Sequence, residues 1–184
     1  LVDGGPDHEI LASLGRDLPP LDRTIELLVL THPHADHLAG LIPVIERYQV
    51  EKILYFPSFY ETRGYEKFLE VVQNVQNEGA EVFYARSGGQ IWLGEIGLQI
   101  LWPTANYRAE NVNNESVVLL LDYGEFEALL LGDAQQEAQL KMLSIINSVE
   151  VLKVGHHGSG NGVYEPLLRA ASPELAVISV GAQN

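Results

Sequence analysis

The chain has 184 residues, with 11 Lys plus Arg against 25 Asp plus Glu, a formal net charge of −14 and no cysteine. That length suits one domain with its own hydrophobic core. The charge excludes a broad electrostatic footprint for nucleic acid or anionic membrane, and the lack of Cys excludes disulfides and thiolate metal sites.

No apolar run approaches the roughly 18 residues of a membrane span, and no signal peptide is visible. The chain reaches the turn-like DGG within two residues and stops on SVGAQN, directly after an apolar run. Both ends read as cut from a longer protein.

In chain order, ELLVL (26–30) is a short apolar run suited to a buried strand. After it, Leu38, Leu41, Ile42, Ile45 and Tyr48 fall at helical spacing, with Pro43 tolerated in a first turn. EKILYF (51–56) reads as the next strand. YEKFLEVVQNVQNEG (65–79) reads as an amphipathic helix stopped at Gly79, where a left-handed cap needs no side chain. EVFYA (81–85) follows as a strand. IWLGEIGLQILWP (91–103) and SVVLLLDYGEFEALLLGD (116–133) each set two β runs around a Gly-containing turn and read as antiparallel hairpins. A helix through QQEAQLKMLSI (135–145), the strand VEVLKV (149–154), a short helix through YEPLLRAA (164–171) and the strand LAVISV (175–180) complete the pattern. Strand–helix units flanking hairpins predict an α/β fold, an αβ/βα sandwich of two sheets with helices outside.

THPHADH (31–37) sets His32, His34, Asp36 and His37 directly after an apolar strand, using three of the chain's six histidines. His32 and His34 are two apart, so an extended turn brings both rings to one ion, and Asp36 with His37 can turn toward a second. Neutral imidazoles and carboxylates with room for a water between ions are the donors of a dinuclear hydrolytic site. The alternative is a solvated polar loop. With no Cys, the donors are nitrogen and oxygen, which suit borderline-to-hard cations.

Asp133 in LLLGDA ends a second apolar strand, either as a bridging carboxylate or as the N-cap of the helix beginning near Gln135. His156 and His157 in LKVGHHGS end a third, beside Gly155 and Gly158, which let the backbone approach closely. An exposed polar turn is the alternative there. Three strand ends carrying such groups favour a site over three separate accidents. His8, in a polar loop, reads as a solvated histidine. Trp92, Trp102 and the tyrosines read as packing residues, since no basic residues interleave with them. The turn at Arg86, Ser87, Gly88 and Gly89 lacks phosphate-loop spacing.

THPHADH, with VDGG before it and GDA and HHGS after it, resembles the metallo-β-lactamase superfamily. The resemblance implies an αβ/βα sandwich of two mixed sheets with helices on the outer faces, here as a truncated single domain over residues 1–184. The runs IERYQVEKIL, ILWPT, NNESVVLLLDYGEFEALLLGDA, LKVGHHGS and ISVGAQN are similar to one branch. That branch is the C-terminal metallo-β-lactamase-like domain of bacterial competence DNA-uptake channel proteins. The resemblance implies two divalent metal ions, Zn²⁺ or Mn²⁺. His32 and His34 would hold the first ion, Asp36 and His37 the second, and Asp133 would bridge them. His156 would complete the second, although the choice between His156 and His157 stays open. Catalytic roles fall to Asp36 and His157, with His157 and Ser159 at the substrate. Asp3, in the DGG turn, matches a position that supports ligand histidines through hydrogen bonds.

Three departures matter. Where many relatives place a third histidine on the first ion, this chain has NVNNES, so Asn113, Asn114 or water takes that role. An oxygen-rich first site makes Mn²⁺ a rival to Zn²⁺. HHGS is followed by GNG, where relatives carry more hydroxyl residues, which implies fewer substrate contacts. Relatives also continue to a His-Pro pair after the last Asn and have strands before DGG.

The implied activity is metal-dependent hydrolysis of DNA phosphodiesters, with single-stranded DNA as substrate, during competence-related uptake (transformation). The implied setting is a soluble domain on the outer side of a bacterial cell membrane. It would be joined to the remainder of a membrane channel protein and make no direct membrane contact. A tethered domain needs little affinity of its own, because the channel keeps the effective DNA concentration high. Two other readings stand beside this one. A small-molecule ester, thioester or lactone hydrolase would use the same centre, since fold and motif do not fix the substrate. A non-catalytic docking module is the other, and the missing third histidine is the one feature in its favour.

Overall fold

The computed structural model describes residues 1–181, in two compact units, Leu1–Tyr84 and the part beginning at Ala85. The last three residues of the ISVGAQN stretch lie outside the described residues. Among the described residues no helix is long and apolar enough to cross a membrane.

The first unit runs α1 (Glu9–Asp17), β1 (Thr24–Ile25), β2 (Leu28–Leu30), α2 (Ala35–Leu38), α3 (Leu41–Ile45), β3 (Gln49–Val50), β4 (Lys52–Tyr55), α4 (Arg63–Asn77) and β5 (Glu81–Tyr84). Strands β2, β4 and β5 pair in parallel in that order, and β1 pairs in parallel with β3. All three residues of β2 are buried, and Leu28 and Leu30 share a core with Ile53, Leu41, Val44 and Phe68. Helix α4 is set by Tyr65, Phe68, Val71 and Val72, which recur on one face and are buried there. The Thr62 hydroxyl caps it by accepting from Tyr65 N at 3.3 Å.

The helix expected through Leu38–Tyr48 is instead two short helices, α2 and α3, interrupted at Ala39 and Gly40. The cause is a contact distant in sequence. Gly40 lies so close to Gly4 that a Cβ on it would stand 1.9 Å from the Gly4 carbonyl oxygen. Its N–H goes to Gly5 O at 2.9 Å, and Gly4 N donates to His37 O at 2.8 Å. The DGG turn is thereby tied to the end of the histidine-bearing segment.

The second unit runs β6 (Gln90–Leu93), β7 (Ile96–Trp102), a 3-10 turn (Val112–Glu115), β8 (Val118–Tyr123), β9 (Phe126–Leu130), α5 (Gln136–Met142), β10 (Val151–Lys153), α6 (Glu165–Ala171) and β11 (Leu175–Val177). Its six-stranded sheet has the order β11-β10-β9-β8-β7-β6. The two hairpins make β6 to β9 antiparallel, whereas β9, β10 and β11 are parallel. Leu129 and Leu152 of the sheet pack with Ala138 and Met142 of α5 and Leu167 of α6. The expected helix 135–145 ends in a 3-10 turn over Leu143–Ile145, and β10 and β11 are shorter than their apolar runs. The loops at the C-terminal ends of β9 and β10 hold Asp133, His156 and His157.

Candidate functional site

In the first unit, β2 delivers Thr31 and His32 at its C-terminal end, and α2 carries Asp36 and His37. The His32 ring lies 4.7 Å from that of His34 and 4.2 Å from that of His37, centroid to centroid. His34 also meets Tyr60 edge-on at 5.4 Å. His32 and His37 are buried, His34 is half-buried and Asp36 is exposed, with Asp36 Oδ2 3.9 Å from His37 Nε2.

Asp3 organises this cluster. Its Oδ1 accepts from Thr31 N at 2.8 Å, and its Oδ2 accepts from the Thr31 hydroxyl at 2.8 Å and from His37 Nδ1 at 2.6 Å. A carboxylate can only accept, so the neutral His37 ring carries its hydrogen on Nδ1. Because the Thr31 hydroxyl spends its hydrogen on Asp3, it accepts from His32 Nδ1, 3.2 Å away. Both rings are therefore held with Nε2 as the basic nitrogen, the tautomer that ligates a metal.

In the second unit, the C-terminal ends of β9 and β10 lie side by side and supply Asp133, His156 and His157. His156 N donates to Gly132 O at 3.2 Å, stitching the two loops together. Asp133 is buried, and its N–H donates to Ser116 Oγ at 3.0 Å. It is not the N-cap of α5; Gln135 holds that position and makes no side-chain capping bond. His157 Nδ1 donates to Ser179 O at 2.8 Å, since a carbonyl only accepts. That leaves Nε2 as the basic nitrogen, 3.7 Å from Asp133 Oδ2.

His156 is held differently. Its Nδ1 lies 2.8 Å from Ser159 Oγ, 3.0 Å from Asn161 Oδ1 and 3.2 Å from Gln135 Nε2, and its Nε2 lies 3.3 Å from Asn113 Nδ2. Both histidines occupy the left-handed region, at φ 47° and 51°. Such backbone costs about 1–3 kcal/mol per residue and persists only where the surroundings dictate it. Here Gly155 packs so tightly that a Cβ would stand 2.8 Å from Gly162 O and 2.9 Å from Ala134 O.

Asn113 and Asn114 are both buried in the 3-10 turn, and Asn113 is the one in contact with His156. Asn114 is engaged elsewhere. Its Oδ1 accepts from Gln135 N at 3.0 Å, its Nδ2 donates to Glu137 at 3.2 Å, and its carbonyl accepts from Trp102 Nε1 at 2.7 Å. Asn113 Oδ1 is buried with no hydrogen-bond partner among the described residues.

The structure thus gathers His32, His34, Asp36, His37 and Asp3 in the first unit, and Asp133, His156, His157, Asn113 and Ser159 in the second. Sequence reasoning missed Thr31, Gln135, Asn161 and the Ser179 carbonyl. Thr31 had a usable signal, a hydroxyl inside the histidine motif. The other three become visible only through tertiary packing. The donors fit a divalent cation, with histidine and aspartate groups able to hold one and Nδ1 of three rings tied to oxygen.

Over residues 1–182 the chain matches the family model described as the Metallo-beta-lactamase superfamily, and it belongs to that superfamily. Solved structures share the fold at low identity. The diiron β-hydroxylase CmlA of Streptomyces venezuelae gives a TM-score of 0.54 at 16% identity, over 88% of this chain and 36% of that one. The metallo-β-lactamase fold protein YhfI of Bacillus subtilis gives 0.54 at 13%, over 88% and 61%.

Among curated proteins, the chain is similar to ComE operon protein 3 of Bacillus subtilis, 27% identical over 164 residues, or 88% of this chain and 21% of that protein. It is also similar to Recombination protein 2 of Haemophilus influenzae, 32% identical over 171 residues, 91% of this chain and 19% of that protein. The chain spans about a fifth of the length of these curated relatives.

Proposed function

We propose that the chain is a metal-dependent phosphodiesterase that hydrolyses DNA, single-stranded by preference, during competence-related DNA uptake. The observation that carries the metal dependence is the pairing of His32, His37 and His157 with oxygen acceptors at Nδ1, each leaving Nε2 as the ligating nitrogen. Two divalent ions, Zn²⁺ or Mn²⁺, suit the nitrogen and oxygen donors. By the likeness to the superfamily, His32, His34, Asp36, His37, Asp133 and His157 would hold the ions. His157 is preferred to His156 as ligand because its Nε2 faces the carboxylate of Asp133, itself a candidate ligand, whereas the His156 nitrogens face Ser159 and Asn113.

Bound divalent ions supply Lewis acidity at a phosphoryl oxygen and a nucleophile usable at neutral pH. The protein's own part is to fix the rings. Asp3 and Thr31 orient His37 and His32, and the Ser179 carbonyl orients His157 toward Asp133.

The DNA substrate is supported by the resemblance of LKVGHHGS and its flanking runs to the competence DNA-uptake branch, in line with the similarity to ComE operon protein 3, and by nothing in the charge of the chain itself. By the same similarity we take residues 1–184 as one domain of a longer bacterial membrane protein, facing the outer side of that membrane. The decisive assay is turnover of a single-stranded oligonucleotide with added Mn²⁺ or Zn²⁺. Asp133→Asn is expected to abolish it, because an amide supplies only one neutral oxygen where a carboxylate would bridge. Activity confined to thioesters or lactones would sink the DNA reading. A purified chain that neither retains metal nor responds to it would leave a docking module.

A further inference from the structure

We propose that the helix-side face of the six-stranded sheet, where α5 and α6 leave it open, docks an arginine-bearing segment of a partner protein. Trp92, Asp122 and Glu127 receive the guanidinium, and none of them belongs to the candidate metal centre.

Helices α5 and α6 cover this face only in part. Val118 of β8 and Leu129 of β9 pack beneath them with Met142 and Leu167. Alternate residues of a strand share a face, so Asp122 and Glu127 lie on the same side of the sheet as Val118 and Leu129. There the pairing register runs across four strands as Trp92, Gly97, Asp122 and Glu127. With Gln90 and Gln99 these residues line a groove of about 90 Å³. A small-molecule pocket occupies roughly 300–1,000 Å³. The groove is the size for one side chain.

Its charge selects a cation. Asp122 and Glu127 are half-buried and directly opposite each other in the β8–β9 pair. Like charges so placed destabilise a sheet. Glu150 brings a third carboxylate, its Oε2 accepting from Glu127 N at 2.6 Å. The two hairpins, 90–102 and 118–130, add Glu95 and Glu125 and contain no Lys or Arg. Among the described residues, neither the Asp122 nor the Glu127 carboxylate has an ion-pair or hydrogen-bond partner.

Trp92 decides which cation. Its ring packs on Gly97, where a Cβ would stand 3.0 Å from Cη2 and Cζ3, yet the residue is 59% exposed. The sheet thus holds the indole in place beside the carboxylates while leaving much of it to solvent. A planar guanidinium stacks on an aromatic face and forks onto carboxylates, which a lysine ammonium cannot do. Glu127 lies near the start of β9 and Asp133 beyond its end, on the order of 15–20 Å apart at the rise of a strand. A partner seated here leaves the histidine- and aspartate-bearing loops open.

The chain has two tryptophans, so its nitrogen–proton NMR spectrum holds two indole signals, which Trp92→Phe assigns. Trp102 is buried, with Nε1 donating to Asn114 O at 2.7 Å, and serves as the internal reference for folding. Millimolar acetyl-Gly-Gly-Arg-Gly-Gly-amide is expected to shift the Trp92 signal and leave that of Trp102 in place. The citrulline peptide, neutral and nearly the same shape, shifts neither. Asp122→Asn and Glu127→Gln each weaken the arginine peptide about tenfold, as loss of a charged hydrogen-bond partner does. Each also raises the melting temperature of the free chain, because it relieves the cross-strand repulsion.

No shift with the arginine peptide, an equal shift with citrulline, or parental affinity in both variants overturns the proposal. So does an equal shift with magnesium chloride, which would make the carboxylates a simple cation site. A Trp92 signal that moves with protein concentration alone would put a second copy of the chain on this face and overturn it as well. Each of these results leaves the metal-dependent reading untouched.

Discussion

Asp3 sits at φ 55°, a region that Asp and Asn tolerate better than most residues, and its carboxylate accepts three hydrogen bonds. Asp3→Asn therefore preserves backbone and shape while turning one acceptor oxygen into a donor. The new amide nitrogen must face either Thr31 N–H or the His37 Nδ1–H, donor against donor. In the second case His37 loses the contact that sets its tautomer, in the first Thr31 loses the acceptor that holds its backbone beside His32, and in either divalent affinity is expected to fall about 10–100-fold. Competition with a chelating dye measures this, and parental affinity in the variant would remove Asp3 from the supporting shell.

Much of this scale is readable in the sequence. Three histidines and an aspartate at the end of an apolar run announce a metal chemistry before any coordinates exist. The supports are less readable. Thr31 acquires its role from a residue 28 positions away, and the oxygen that orients His157 belongs to a backbone carbonyl, which no side-chain identity encodes.

At the level of elements, α4 was legible because its buried face, its Thr62 cap and the glycine after it are all local features. The region after the histidines was not. Its apolar spacing suits one helix, and the break at Gly40 comes from the backbone of Gly4. Gly40 has φ −71°, which any residue adopts, so Gly40→Ala meets a purely steric obstacle. Overpacking of this kind typically costs about 1–3 kcal/mol, and more is expected where the obstructing atoms are backbone. Chemical denaturation of the metal-free chain should show a lowered midpoint with an unchanged slope. A midpoint equal to the parent's would mean that the DGG turn is not pinned to α3.

Helix α5 is tied to the 3-10 turn through Glu137, which accepts from Tyr107 Oη at 3.0 Å, Lys141 Nζ at 3.2 Å and Asn114 Nδ2 at 3.2 Å. The hydrogen bond from Tyr107, then that from Lys141, holds the Glu137 carboxyl below its ordinary value of 4.5. A depressed native value means that the unfolded chain binds this proton more readily. The contribution to stability is present above pH 4.5 and is lost as pH falls through the native value. Glu137 is mostly exposed, so solvent screening keeps the effect below about 1 kcal/mol. The melting difference between the parent and Glu137→Gln should be largest near neutrality and shrink toward pH 3. A difference that grows on acidification would reverse the assigned sign.

For the whole molecule, 25 acidic side chains stand against 11 basic ones, so a polyanion approaches a surface of its own sign. Proteins that grip DNA with Lys and Arg lose about 10³–10⁵ in affinity between 50 and 200 mM salt, because each neutralised phosphate releases counterions. This chain has too few cationic side chains for a footprint of that size. Under the reading proposed here, metal–phosphate contact supplies the attraction at short range, where added salt screens little. Repulsion from the carboxylates acts at longer range and fades beyond a Debye length of about 10 Å at 0.1 M salt. Salt therefore leaves the attractive contact nearly intact while relieving the repulsion. At fixed Mn²⁺, KM for a single-stranded oligonucleotide should shift by less than about tenfold across that salt range, far short of a basic protein's loss. Association should quicken slightly rather than slow. The same titration with a neutral ester substrate supplies the contrast, since relief of repulsion helps only a charged one. A steep loss of DNA affinity with salt would instead place recognition on basic side chains, and the metal-centred account of substrate capture would fail.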